Sequence, residues 1–163
     1  MSFLKSIFGN ARPAPLDQAT QKRQLEELFT ATLPFAKTML TKHGEFLPYG
    51  ATMNPAEKIS PVGGYTGEEQ SKSGDVIALL KDAYRQDGAS GKIMACALAY
   101  DARVIPPGQT EKTDAVAIAV DHRDGMSLTL FSPYRIEADK TVTFGQLFAT
   151  KGLQEIFPKG TGA

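Results

Sequence analysis

The chain has 163 residues, 42% of them apolar, and its 18 Lys and Arg balance 18 Asp and Glu, which fits one globular domain with room for a proper core. With no cationic excess to neutralise phosphates, the composition argues against nucleic acid as a partner. Cys96 is the only cysteine, which excludes a disulfide framework and CxxC-type metal spacing and is compatible with a reducing, cytoplasmic compartment.

Residues 1–15 read as an N-terminal segment and a proline-rich spacer, followed by a single α+β domain over 16–163. Phe3, Leu4, Ile7 and Phe8 have helical spacing, but the segment is too short and interrupted for a signal sequence. No run approaches a membrane span, so membrane attachment through residues 3–8 ranks below a terminal turn. The spacing predicts a helix from Leu16 to Lys42, capped by Asp17 and stopped by Gly44. Leu25, Leu28, Phe29, Leu33, Ala36, Met39 and Leu40 form its apolar face. Pro34 lies inside this pattern and predicts a kink or break.

"EFLPYGATM" (45–53) and "KISPVGGYT" (58–66) read as two strands joined by the turn "NPAE", with Phe46 and Tyr49 on opposite faces of the first. Pro48 and Pro61 point to bulges or outward-facing positions. A second helix is expected from Ser73 to Gln86, capped by Ser71 or Ser73, with Val76, Leu79, Leu80, Ala83 and Tyr84 buried. Three strands follow: "KIMACALAYDARV" (92–104), "DAVAIAVDH" (114–122) and "MSLTLFSPY" (126–134), the last two joined by the hairpin signal "RDG". "TVTF" (141–144) reads as a short edge strand. "GQLFAT" and "LQEIF" read as short helical turns.

Ala95, Ala97 and Ala99 alternate with bulkier residues, as do Ala115, Ala117 and Ala119. The two neighbouring strands thus share a smooth alanine face and a bulky face. The bulky side then needs a cover: a helix, the C-terminal segment or a second copy of the chain.

The order helix, two strands, helix, three strands resembles the profilin-like topology of roadblock domains, which implies five antiparallel strands in the order 2-1-5-4-3. The stretches His43–Gly50 (HGEFLPYG) and Tyr100–Ala115, carrying "HGEF.P.G" and "YD.R..PPG...KTDA", resemble an uncharacterised family of small bacterial proteins. That resemblance implies a bacterial cytoplasmic protein and assigns no activity.

In the 2-1-5-4-3 order, one rim of the sheet gathers His43, Glu45, Asp101, Arg103, Glu111, Lys112, Asp114, Tyr134 and Arg135. Carboxylates and an imidazole there suit acid–base work or a hard cation, and the arginines suit a carboxylate or phosphate. Local ion pairs and solvated side chains account for the same residues. His122 is expected at the opposite rim, exposed. Cys96 is placed mid-strand without a basic neighbour, unsuited to nucleophilic work. The nucleophile-elbow, phosphate-loop and zinc-protease motifs are absent, and "PVGGYTG" (61–67) reads as a strand end rather than a phosphate loop. No cofactor, metal ligand set or catalytic residue is assigned. The function expected is a non-enzymatic interaction domain acting through protein contacts, a homodimer included. The alternative is a small-molecule or hydrolytic site at the charged rim.

Overall fold

A computed structural model describes residues 14–63 and 72–158. The N-terminal segment through residue 13, Ser71 and the latter half of "PVGGYTG" lie outside the described residues. The element order is α1 (Gln18–His43), β1 (Tyr49–Met53), β2 (Ile59–Gly63), α2 (Ser73–Ala89), β3 (Ala95–Val104), β4 (Thr113–His122), β5 (Ser127–Ile136), β6 (Val142–Phe144) and β7 (Phe148–Lys151). The protein is α+β, with an antiparallel sheet between two helices.

The sheet differs from the five-stranded expectation. Among the described residues it holds seven strands in the order β2-β1-β3-β4-β5-β6, with β7 also paired to β5. β1 therefore pairs with β3, not with β5, and the 2-1-5-4-3 order does not hold. The cause lies in α2. Its buried row Val76, Leu80 and Tyr84 seats the helix across β1 and β3. The Tyr84 hydroxyl donates to the Ala97 carbonyl of β3 at 2.9 Å and accepts from the Ala51 amide of β1. A β-carbon at Gly50 would lie 2.1 Å from both that hydroxyl and the Ala97 oxygen, so only glycine admits this contact. The buried row is narrower than expected: Leu79 is exposed, as is Ala83. The N-cap of α2 is Lys72, without a side-chain bond, and not Ser73.

α1 is capped as expected, with Asp17 accepting from the Thr20 amide at 2.7 Å, and Gly44 closing it in the left-handed conformation. Pro34 leaves the helix continuous. The tyrosine of "HGEFLPYG" bridges the helix just beyond the proline. Its hydroxyl accepts from the Ala36 amide at 2.9 Å and donates to the Thr32 carbonyl, sitting between a donor and an acceptor four residues apart. Phe46 precedes β1 and joins the same core as Tyr49, their rings edge to face at 6.2 Å, rather than lying on the opposite face.

The smooth and bulky faces are not formed either. Ala97 lies opposite Val120, Ala99 opposite Ile118, and Leu98 opposite Ala119. Partners have opposite parity, so the alanine row of one strand shares a face with the bulky row of the other. α1 covers Ala95, Ala97 and Ala99 together with Val116, Ile118 and Val120. α2 covers Cys96 and Leu98 on the other side.

The C-terminal part is extended instead of helical. "TVTF" supplies β6, as expected, while "GQLFAT" supplies β7. β6 pairs with residues 134–136 of β5, and β7 with residues 128–131. Between them lies Pro133, which has no amide to donate; its carbonyl accepts from Gly145 at 2.8 Å, where the chain passes from β6 toward β7. Residues 152–157 then cross the α2 side of the sheet as a strap.

Candidate functional site

The strand ends expected to make the rim lie at one end of the sheet, although by another pairing. β3 ends, β4 begins and β5 finishes at one end of the sheet, and β1, antiparallel to β3, starts there. Strand alternation then splits the candidates. Asp101, Arg103, Asp114 and Tyr134 share the α1 side, while Arg135 lies on the other side. Tyr134 donates to Asp101 Oδ1 at 2.8 Å, and Arg103 pairs with Asp114 at 3.7 Å.

Burial holds the Asp101 carboxyl above its ordinary range, opposed by the Tyr134 hydrogen bond. Burial and then Asp101 push the Tyr134 hydroxyl well up. His43, the last residue of α1, and Glu45, between α1 and β1, are exposed, and the structure joins neither to the other rim residues. Glu111 and Lys112 are exposed in the β3–β4 loop. The rim is thus two local pairs. Beside them a cleft of about 410 Å³ is lined by Tyr134, Arg135, Pro106, Pro107 and the β6–β7 turn. Among the described residues no three His, Cys, Asp or Glu come together as a metal site.

His122 is 2% exposed, not at the surface. Its Nε2–H donates to Gln24 Oε1 at 2.7 Å, and its Nδ1 accepts from the Asp124 amide at 3.0 Å. Both hydrogen bonds are to neutral groups; the Asp124 carboxylate lies 3.9 Å from Nδ1 and favours the charged ring, but burial outweighs it and lowers the pKa. The network continues through Gln21, which accepts from the Met126 amide and donates to the Leu16 carbonyl. Its role is to fasten the start of α1 to the β4–β5 turn.

A second cavity, of about 270 Å³, lies on the α2 side. Its floor is built in rows across the sheet. Cys96 and Asp121 make one row, and Leu98, Ala119 and Thr129 the next. Ile77, Lys81 and Tyr84 of α2 form one wall, with Tyr100 at the end of the floor and strap residues 153–156 opposite.

The strap is held at several points. The Gly152 amide donates to the Ser127 carbonyl at 2.9 Å, the Gln154 amide to Ser127 Oγ at 3.2 Å, and the Ile156 amide to Asp121 Oδ2 at 3.3 Å. Ser127 Oγ donates to Asp121 Oδ1 at 2.5 Å. Lys81 and Arg85 of α2 hold Glu155, the first by an ion pair and the second through its backbone carbonyl at 3.0 Å. Phe157 tucks under α2 against Gly88.

Burial pushes the Cys96 thiol well up, away from thiolate reactivity. Burial also raises Tyr100 and Asp121, the latter despite its hydrogen bonds. None of Lys81, Asp121 or Glu155 was a sequence candidate. The available signal is the row Ala115, Ala117, Ala119, Asp121, in which a carboxylate continues an alanine series. The second wall depends on the strap, whose "LQEIF" spacing suggested helix.

Comparison with protein-family models, curated proteins and solved structures finds no match for this chain. No helix among the described residues is long and apolar enough to cross a membrane.

Proposed function

We propose that the protein is a non-enzymatic binding domain whose ligand is a small molecule held between α2, the sheet and the strap. The observation that carries this reading is a cavity walled by three separate parts of the chain, with apolar Ile77, Leu98 and Ala119 beside a few polar groups, Asp121 and Thr129 of the floor among them. Its titratable groups are engaged in fastening the strap or are pushed away from reactive protonation states.

The test is amide NMR of the labelled protein during a fragment screen. Binders should shift Leu98, Ala119, Thr129 and Ile156, and Ala119→Phe should abolish those shifts while preserving the remaining spectrum. Binders that move only the rim cleft around Arg135 would overturn this assignment in favour of the rim.

A second reading, contact with a protein or a second copy, has one specific observation behind it. Phe131 and Phe148 stack at 4.9 Å on β5 and β7, beside exposed Leu147. Light scattering over a dilution series tests it: a dimer that Phe148→Ser dissociates supports this reading, and a monomer at all concentrations removes its homodimer form.

A further inference from the structure

We infer that the cavity selects an organic ammonium ion, an apolar body of one ring or a short alkyl chain carrying a protonated amine; this rests on the binding reading above. The charges on the lining motivate it. Asp121 and Glu155 contribute two carboxylates against the single ammonium of Lys81, and Lys81 is already committed to Glu155.

Asp121 is 8% exposed. Its hydrogen-bond partners are neutral: the Ser127 hydroxyl and strap amides. The charged side chain acting on it is another carboxylate, Glu155. A buried carboxylate normally has a cationic partner or stays costly to ionise, and here the missing countercharge faces a cavity. The same balance repels anionic ligands.

An ammonium offers three donors and no acceptor. The lining offers the Asp121 and Glu155 carboxylates and the Tyr100 and Thr129 hydroxyls as acceptors. Ile77, Leu98, Ala119 and Leu153 supply apolar contact for the body. The volume of about 270 Å³ falls just under the usual range for drug-sized ligands, roughly 300–1,000 Å³, hence a small body.

Three molecules of similar shape test the inference by calorimetric titration at neutral pH: 2-phenylethylamine, 2-phenylethanol and 3-phenylpropionate. The amine should bind at least about tenfold more tightly than the alcohol, and the carboxylate should not bind. Asp121→Asn should bring the amine's affinity down to that of the alcohol measured in the same variant. Glu155→Gln serves as the second charge variant if Asp121→Asn fails to fold. Ala119→Phe should eliminate all binding.

Equal binding of amine and alcohol, lost in Ala119→Phe, would overturn the charge selection and leave the binding pocket standing. Stronger binding of the carboxylate would overturn it as well. If none of the three binds and the NMR screen also leaves the cavity amides unmoved, the binding reading itself falls.

Discussion

Tyr49 and Tyr84 perform one operation on two different backbone ladders. Each places a hydroxyl between an amide and a carbonyl that would otherwise bond directly: Ala36 and Thr32 in α1, Ala51 and Ala97 between β1 and β3. Burial pushes the Tyr49 hydroxyl up to about 12 and Tyr84 higher still, so both remain donors across the working range. Tyr49→Phe should cost about 1–3 kcal/mol in urea denaturation, because it leaves buried backbone groups short of partners. The cost should be smaller in a Pro34→Ala background, where α1 can close its own ladder; an equal cost in both backgrounds would separate Tyr49 from the proline. Gly50→Ala should prevent folding, and Tyr84→Phe should not rescue it, since the Ala97 carbonyl also blocks the new methyl. At this scale the helix stop at Gly44 was legible in "HGEFLPYG". The task of Tyr49 was not, because it depends on a proline fifteen positions earlier on another element.

Among the elements, the strap shows most clearly where local spacing misleads. "LQEIF" has the apolar interval of a helical turn, yet the amides of Gly152, Gln154 and Ile156 are taken by Ser127 and Asp121, thirty residues away. Tertiary partners outweigh the weak preference of five residues. Long elements with strong local signals fared better. α1 has its acidic cap and glycine stop, and β4–β5 closes through Gly125, with its positive φ, as "RDG" suggests. Phe157 is the apolar anchor of the strap, 8% exposed beneath α2. Phe157→Ala should cost about 3–5 kcal/mol if the strap unfolds only with the whole domain. If the strap opens by itself, global stability should fall by much less, while hydrogen exchange at residues 152–156 accelerates selectively. Retained protection at those amides would mean that the ion pair and backbone bonds hold the strap without Phe157.

For the molecule as a whole, strand register decides both the faces and the response to pH. Asp121 and His122 are adjacent on β4 and so face opposite sides, one toward the strap and one toward α1. Burial, the main cause in both cases, moves them in opposite directions. Asp121 is raised above its ordinary 3.8, so the stability it contributes is present below that pH and is lost as pH rises through the folded value. Facing it are Ser127, the strap amides and the Glu155 carboxylate, which raises it further. His122 is lowered from 6.5, so its contribution is present above that pH and is lost as pH falls through the folded value. Asp124 opposes that loss, and Gln24 and Arg123 do not. Acidification from neutral pH should therefore first weaken the protein through His122, and then return part of the stability as Asp121 takes up its proton. Denaturation midpoints measured from pH 7 down to pH 4 would resolve the two. His122→Gln should flatten the upper part of the curve, and Asp121→Asn should remove the recovery at the lower end. If Asp121→Asn instead steepens the acid loss, the ionised carboxylate is a net stabiliser of the native fold, and its bonds to Ser127 and the strap outweigh its burial.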